Sequence, residues 1–271
     1  NLSSLILLIN NFPIITIDEA IKFNLIDEKY YEEDFKDKFL KKAEKIKPEY
    51  KNDFYKPSPK IAVIPMKGTI LQGGIFSPLL GDTITNKKYK NIFKYIERNK
   101  TIKAVIIYVD SPGGSAFESE KIYHSLKRLE AKGKKIYVYM DNVAASGGYY
   151  ISVAAKRIYA TPYTITGSIG IFFAKYYVGR FFKLLKINND TVKIGDRSDF
   201  LNPFYKWEKG DYEIMKNHLD ILYKRFKMKV ADGRALKYNT VGNYARGKVY
   251  TGDQALEINL IDCILPFQDM V

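Results

Sequence analysis

The 271-residue chain carries 44 Lys and Arg against 30 Asp and Glu, a formal charge of +14, with 46 % apolar and 14 % aromatic residues. That composition supports a globular fold of one large or two small domains and contains no low-complexity tract. A single cysteine, Cys263, excludes a disulfide framework, and with His124 and His218 as the only other soft ligands no metal site is expected.

From the N-terminus, the longest apolar stretch, Leu2 to Ile17, is broken by Asn10, Asn11 and Pro13. It falls short of the roughly 18 apolar residues of a membrane span, and it lacks the basic start and small-residue cleavage site of a secretory signal. Asn1 in place of Met leads to the expectation that the natural chain starts upstream. Basic residues are mixed with acids, as in Tyr30-Tyr31-Glu32-Glu33-Asp34-Phe35-Lys36-Asp37-Lys38. The excess charge therefore reads as a solvated surface or one drawn to an anionic membrane, and no nucleic acid partner is expected.

Residues 16–27 (Thr-Ile-Asp-Glu-Ala-Ile-Lys-Phe-Asn-Leu-Ile-Asp) return as residues 251–262 (Thr-Gly-Asp-Gln-Ala-Leu-Glu-Ile-Asn-Leu-Ile-Asp), with seven of twelve positions identical. Each copy predicts a short helix capped by Thr16 or Asp18, and by Thr251 or Asp253, followed by a strand. Copies 235 residues apart suggest a tandem duplication. Residues 1–56 are then the tail of a preceding repeat plus a linker bracketed by Pro48, Pro57 and Pro59, and residues 57–271 are a full repeat.

That repeat alternates strand and helix. Ile61–Met66 and Ala104–Val109 are continuous β-branched runs of the kind found in buried parallel strands. Ser115–Ala131 has helical spacing and stops at Gly133; Ile136–Met140 is a strand, Ser146–Ala155 a helix, and Arg157–Ala160 a strand. The pattern predicts an α/β domain with a parallel sheet flanked by helices. Lys175–Lys186 and Glu208–Leu236 read as further helices. The first, with Phe181, Phe182, Leu184 and Leu185 beside Arg180, Lys183 and Lys186, suits either the core or lipid headgroups.

Two glycine-rich turns follow consecutive strands: Asp110-Ser111-Pro112-Gly113-Gly114-Ser115 and Ala144-Ala145-Ser146-Gly147-Gly148-Tyr149. Open α/β sheets place ligands at the carboxyl ends of their strands. In the first turn, glycines leave backbone amides unobstructed for an oxyanion; in the second, Ser146 has small neighbours at a helix start. Together they offer a nucleophile and an oxyanion pocket for acyl transfer. Neither is a dinucleotide fingerprint or a P-loop, and no cofactor is expected. A serine nucleophile needs a base; His124 and His218 both fall within helices as packing or surface residues, and a lysine neutralised by burial is the alternative.

The run Val109-Asp-Ser-Pro-Gly-Gly-Ser115, then Met140–Ser152, then Ala160-Thr-Pro-Tyr-Thr-Ile-Thr-Gly-Ser-Ile-Gly-Ile171 resembles the signal peptide peptidase A (protease IV) family of bacterial Ser/Lys peptidases. Val230-Ala-Asp-Gly-Arg234 and Gly247-Lys-Val-Tyr-Thr-Gly252 extend the resemblance over roughly residues 60 to 265. It implies a crotonase/Clp-peptidase-like fold, with Ser146 as nucleophile, Gly113 as backbone oxyanion donor and Ser168 as the serine that orients the lysine. Where the family's short form carries that lysine, this chain reads Lys193-Ile-Gly-Asp-Arg-Ser198-Asp199, with Ser198 at the lysine position. In the family's two-repeat form the first half supplies the lysine and the second the serine, so the resemblance implies a C-terminal half whose base lies in a missing first half. It further implies cleaved signal peptides as substrates, a ring-like homo-oligomer such as a tetramer, and a missing N-terminal anchor. The expected location is the extracytoplasmic side of the bacterial cytoplasmic membrane. The isolated chain is expected to be inactive. A silent scaffold on the same fold, a Clp-like peptidase with a histidine base and a crotonase-type acyl-CoA enzyme are the alternatives.

Overall fold

A computed structural model describes residues 10, 14–39, 58–72 and 81–270. The linker prolines Pro48 and Pro57 lie outside the described residues. Two compact units form: Asn1–Lys45 with Phe172–Tyr223, and Ile46–Ile171 with Lys224–Val271.

The second unit is built on a sheet of β1 (Lys60–Lys67), β4 (Ile102–Ser111), β5 (Lys135–Ala145), β6 (Arg157–Ala160) and β9 (Cys263–Ile264) in that spatial order, all parallel. β7 (Ile165–Gly167) pairs in parallel with the end of β5, and β8 (Val249–Tyr250) runs antiparallel to β7. The short strands β2 (Thr69–Ile70) and β3 (Thr83–Ile84) pair with each other. The fold is thus α/β with a parallel sheet flanked by helices, as the alternating pattern implied.

The central strands are apolar because they are covered: Val105, Ile107 and Val109 of β4 and Ile136, Val138 and Met140 of β5 have no exposed surface. Burying each such side chain contributes about 2 kcal/mol. Helix α4 (Ala116–Ala131) buries Ile122, Leu126 and Leu129, with Ser115 Oγ accepting from the Glu118 amide at its start. Helix α3 (Asn86–Arg98), absent from the sequence reading, buries Tyr89, Phe93 and Ile96 at helical spacing behind the cap Thr85. On part of the sheet, Tyr108 stacks on Tyr139 at 5.5 Å and Phe267 meets both edge-on. These three rings, with Pro162 and Leu265, line a cavity of about 590 Å³.

The duplicated segments fold alike. Helix α1 (Ile17–Lys22) carries a capping box between Thr16 and Glu19, and α9 (Gly252–Glu257) carries the same box between Thr251 and Gln254. Each helix then turns through an asparagine at positive φ, Asn24 at 54° and Asn259 at 60°. The next amide closes the turn in both: Leu25 to Ala20 at 2.9 Å and Leu260 to Ala255 at 2.8 Å. A strand, β9, follows only the second copy; after the first, residues 25–27 are irregular, so the expectation of a strand in both copies is corrected.

In the first unit, α2 (Glu32–Phe39) and α6 (Gly179–Leu184) are short, and Phe182 packs edge-on against Phe204 at 5.1 Å. The buried carboxylate of Asp211 accepts from Arg197 Nε (3.1 Å), the Tyr205 hydroxyl (2.9 Å) and the Glu208 amide (2.8 Å) at the start of α7 (Lys209–Arg234). Between α7 and α9 lies α8 (Tyr238–Tyr244). Among the described residues no helix is long and apolar enough to cross a membrane.

Candidate active site

β5 ends in Ala144 and Ala145, and helix α5 (Gly147–Ser152) begins two residues later. Ser146 joins them at φ 52° and ψ −117°, a backbone region that costs a non-glycine residue on the order of 1–3 kcal/mol. The strain is held from both sides. The Ser146 amide donates to the Gly167 carbonyl at 2.9 Å, and its carbonyl accepts from the Tyr150 amide at 2.8 Å. Every residue of α5 is buried, and the Tyr149 hydroxyl donates to the Leu260 carbonyl at 2.8 Å. Burial pushes the Tyr149 phenol well above its ordinary pKa, so it stays a neutral donor.

The Ser146 side chain makes no capping bond to α5, unlike Thr85 on α3 or Thr251 on α9. Ser146 is half-buried, and among the described residues its hydroxyl has no hydrogen-bond partner, at a helix start whose first amides have no intrahelical acceptor. A strained strand-to-helix turn with a serine at its apex is the local geometry that a serine nucleophile requires.

The glycines around Ser146 are there because backbones meet. A Cβ on Gly113 would stand 2.6 Å from the Gly147 nitrogen and 2.8 Å from Ser146 Cβ. One on Gly148 would stand 2.7 Å from the Ser111 carbonyl oxygen, and one on Gly147 would stand 2.5 Å from Ser119 Oγ. The two glycine-rich turns are thus pressed together at the carboxyl ends of β4 and β5, the strand ends to which the sequence assigned them. Gly113 and Gly114 take φ of 99° and 143°, and Ile70 pairs with the turn through its amide on the Gly113 carbonyl and its carbonyl on the Ser115 amide, both at 2.8 Å.

Ser168 follows Gly167, so the Ser146–Gly167 hydrogen bond sets the second serine beside the first. Ser168 also has positive φ, 49°, and its amide donates to the Lys248 carbonyl at 2.7 Å. The structure therefore brings Ser146, Gly113 and Ser168 to one end of the sheet. Ser198 lies in the other unit, its hydroxyl donating to the Gly195 carbonyl at 3.3 Å, and Lys193 is committed to Asp199 and the Asp196 carbonyl. His218 belongs to that unit as well, and His124 sits mid-α4.

Among the described residues, two lysines have pKa values lowered by burial. Lys134 commits its ammonium to the Asn99 and Ile102 carbonyls at 2.6 and 2.8 Å. It precedes β5 whereas Ser146 follows it, so the two stand at opposite ends of the strand, on the order of 30 Å apart. Lys175, in the other unit, donates to the Tyr205 carbonyl beside the Trp207 ring.

Two supports were not read from the sequence. Ser111 Oγ accepts the Gly113 amide at 3.1 Å, a contact signalled by a serine two residues before a turn glycine. Tyr250 lies over Gly167, where a Cβ would stand 2.8 Å from its ring; no local pattern links positions so far apart. The aromatic cavity includes none of Ser146, Gly113 and Ser168 in its lining.

The profile of Peptidase family S49 matches residues 128–271, and that of Clp protease matches residues 74–166. A protein of Enterococcus faecium provisionally named signal peptide peptidase SppA is 32 % identical over 205 residues, 76 % of this chain and 60 % of its own length. Protease 4 of Haemophilus influenzae is 36 % identical over 81 % of this chain and 35 % of its own length. A Synechocystis protein provisionally named as a protease is 33 % identical over 75 % of this chain and 69 % of its own. The chain thus spans less than two thirds of the length of each of the first two relatives, 60 % and 35 %.

Proposed function

This chain belongs to Peptidase family S49, and from that we propose that it carries the serine side of a Ser/Lys endopeptidase site. Ser146 Oγ attacks the scissile carbonyl carbon and loses its proton to a neutral lysine. The Gly113 backbone N–H supports the oxyanion, and the lysine returns the proton to the leaving amine. Water then hydrolyses the acyl-serine by the same steps in reverse. Ser168, held beside the nucleophile, orients the base. The observation that carries this reading is the strained, uncapped Ser146 packed against the Gly113 turn.

The base is read as coming from a preceding homologous repeat. Ser198 replaces the lysine in this repeat, and the matched capping boxes and asparagine turns of α1 and α9 support a duplication. Residues 1–56 are then the tail of that first repeat and 57–271 the serine-bearing one. Cleaved signal peptides are the proposed substrates, a reading supported by the name of the Enterococcus faecium relative; the outer face of the cytoplasmic membrane and a homo-oligomeric ring are the location and assembly proposed with them.

The test uses the full-length protein and its Ser146→Ala variant with a fluorogenic apolar peptide and a fluorophosphonate probe. Hydrolysis and labelling that require Ser146, with negligible hydrolysis by residues 1–271 alone, are expected. Absence of Ser146 labelling in the full-length protein would favour a silent scaffold, and robust hydrolysis by residues 1–271 would remove the second-repeat base.

A further inference from the structure

The Gly113 amide, on which the proposed oxyanion pocket depends, is engaged: it donates to Ser111 Oγ at 3.1 Å. Ser111 has no exposed surface, so the amide proton points beneath the turn into the protein. The Ser111 carbonyl in turn lies 2.7 Å from where a Gly148 Cβ would stand, directly under the nucleophile's helix. One buried residue therefore touches both glycine-rich turns.

Redirecting the amide needs rotation of the Pro112–Gly113 peptide plane, a change in ψ of Pro112 and φ of Gly113. Gly113 stands at φ 99° and, lacking a Cβ, adopts either sign of φ at little cost. Neighbouring turn types interconvert by such a rotation. The hydrogen bond to Ser111 is what opposes it. A neutral hydroxyl is a weaker acceptor than a charged oxygen, so the amide changes partner when the carbonyl oxygen becomes an oxyanion.

The geometry points to Ser111 as a positioning residue that acts through Gly113: its hydroxyl holds the oxyanion donor inward in the substrate-free protein and yields it as charge develops. This rests on Ser146 being the nucleophile. The exchange occurs on the way to the transition state, so it acts on kcat and leaves KM unchanged.

In the full-length protein, Ser111→Ala is expected to raise kcat on a fluorogenic peptide and the rate of Ser146 labelling by a fluorophosphonate about fivefold. KM stays constant, and Ser111→Thr, which restores the acceptor, returns the rate to that of the parent. A merely structural role would lower the rate with the melting temperature. Independently of the variants, the Gly113 amide resonance of the ¹⁵N-glycine-labelled parent should shift on phosphonylation, whose P=O oxygen stands in for the oxyanion. Equal or slower labelling of Ser111→Ala overturns the proposal, as does an unmoved Gly113 resonance should the variant fail to fold. Labelling of neither protein removes the nucleophile and the proposal together, whereas equal labelling of both removes the proposal alone.

Discussion

The backbone N–H of Ser146 donates to the carbonyl of Gly167 at 2.9 Å, tying the end of β5 to the end of β7. Ser168 comes next in the chain, and both serines stand at positive φ. The Ser146 turn is thus held by a neighbouring strand as well as by its own helix. That strand is held in turn by β8, through the Lys248 carbonyl on the Ser168 amide and the Tyr250 ring over Gly167.

Gly167→Ala is therefore predicted to damage the site from a distance. At φ 82° a Cβ costs roughly 1–2 kcal/mol, and here it would press on Tyr250 at 2.8 Å and on the Lys248 carbonyl at 3.1 Å. A melting temperature lower by several degrees and Ser146 labelling slowed at least about tenfold are expected, the latter from misplacement of the nucleophile. Unchanged labelling would show that β7 does not position Ser146.

The twin helices make a paired prediction. Thr251→Ala removes the acceptor for the Gln254 amide, and Thr16→Ala the acceptor for the Glu19 amide. Each is expected to cost about 1 kcal/mol. Asn259→Gly should be neutral and Asn259→Ala should cost about 1 kcal/mol, because only the first keeps φ 60° without strain. Denaturant midpoints of the four variants check the set.

Gly148→Ala should be more severe than a helix propensity scale suggests, since alanine is the better helix former. Its Cβ would stand 2.7 Å from the Ser111 carbonyl, between two buried backbones with no flexible atom to yield. A loss of about 2 kcal/mol and of Ser146 labelling is expected, read by thermal melting and the serine probe.

Much of this was legible because it was local. The run Ala104–Val109, the stop at Gly133 and the glycines beside Ser146 each state their conformation within a few residues. Ile61–Met66 instead forms its strand at the sheet edge with Ile61 and Val63 exposed, so the expectation of a buried strand there is corrected. Boundaries were less so. β5 runs on to Ala145 where the apolar run ends at Met140, because Asp110 Oδ1 accepts the Val143 amide and β7 pairs with Val143–Ala145. Conversely α5 stops at Ser152, and helix 175–186 shrinks to Gly179–Leu184. The roles of Ser111, Tyr250 and the Lys248 carbonyl depend on tertiary approach, which no periodicity encodes.

Alkaline titration should expose the buried phenols. Burial foremost, then nearby carboxylates, pushes Tyr89 and Tyr123 up to about 12. A phenol whose folded pKa exceeds its unfolded value near 10 is held neutral by the fold. Its contribution is complete below pH 10 and is lost as pH rises from 10 through 12. The melting temperature is predicted to fall across that window, and ultraviolet titration should show delayed phenolate formation. Tyr89→Phe loses the hydrogen bond to the Pro65 carbonyl (2.8 Å), at about 1 kcal/mol, and makes the decline shallower.

Helix α6 separates two apolar side chains that look equivalent in sequence. Phe181, Leu184 and Leu185 recur at helical spacing, the pattern of a core-facing stripe, yet Leu184 is 80 % exposed and Phe181 59 %. The side chain that anchors the segment is Phe182, through its edge-on contact with Phe204, supported by the Val178 amide on the Pro203 carbonyl at 3.0 Å. The core reading of this helix is thereby corrected: a stripe faces inward only where another element covers it. Leu184→Asp should accordingly change stability by less than about 0.5 kcal/mol, because it exchanges one solvated side chain for another. Phe182→Ala should cost about 2 kcal/mol by emptying the contact with Phe204. Denaturant unfolding of residues 1–271, followed by Trp207 fluorescence, separates the two; a larger loss for Leu184→Asp than for Phe182→Ala would mean that the stripe, and not Phe182, anchors α6.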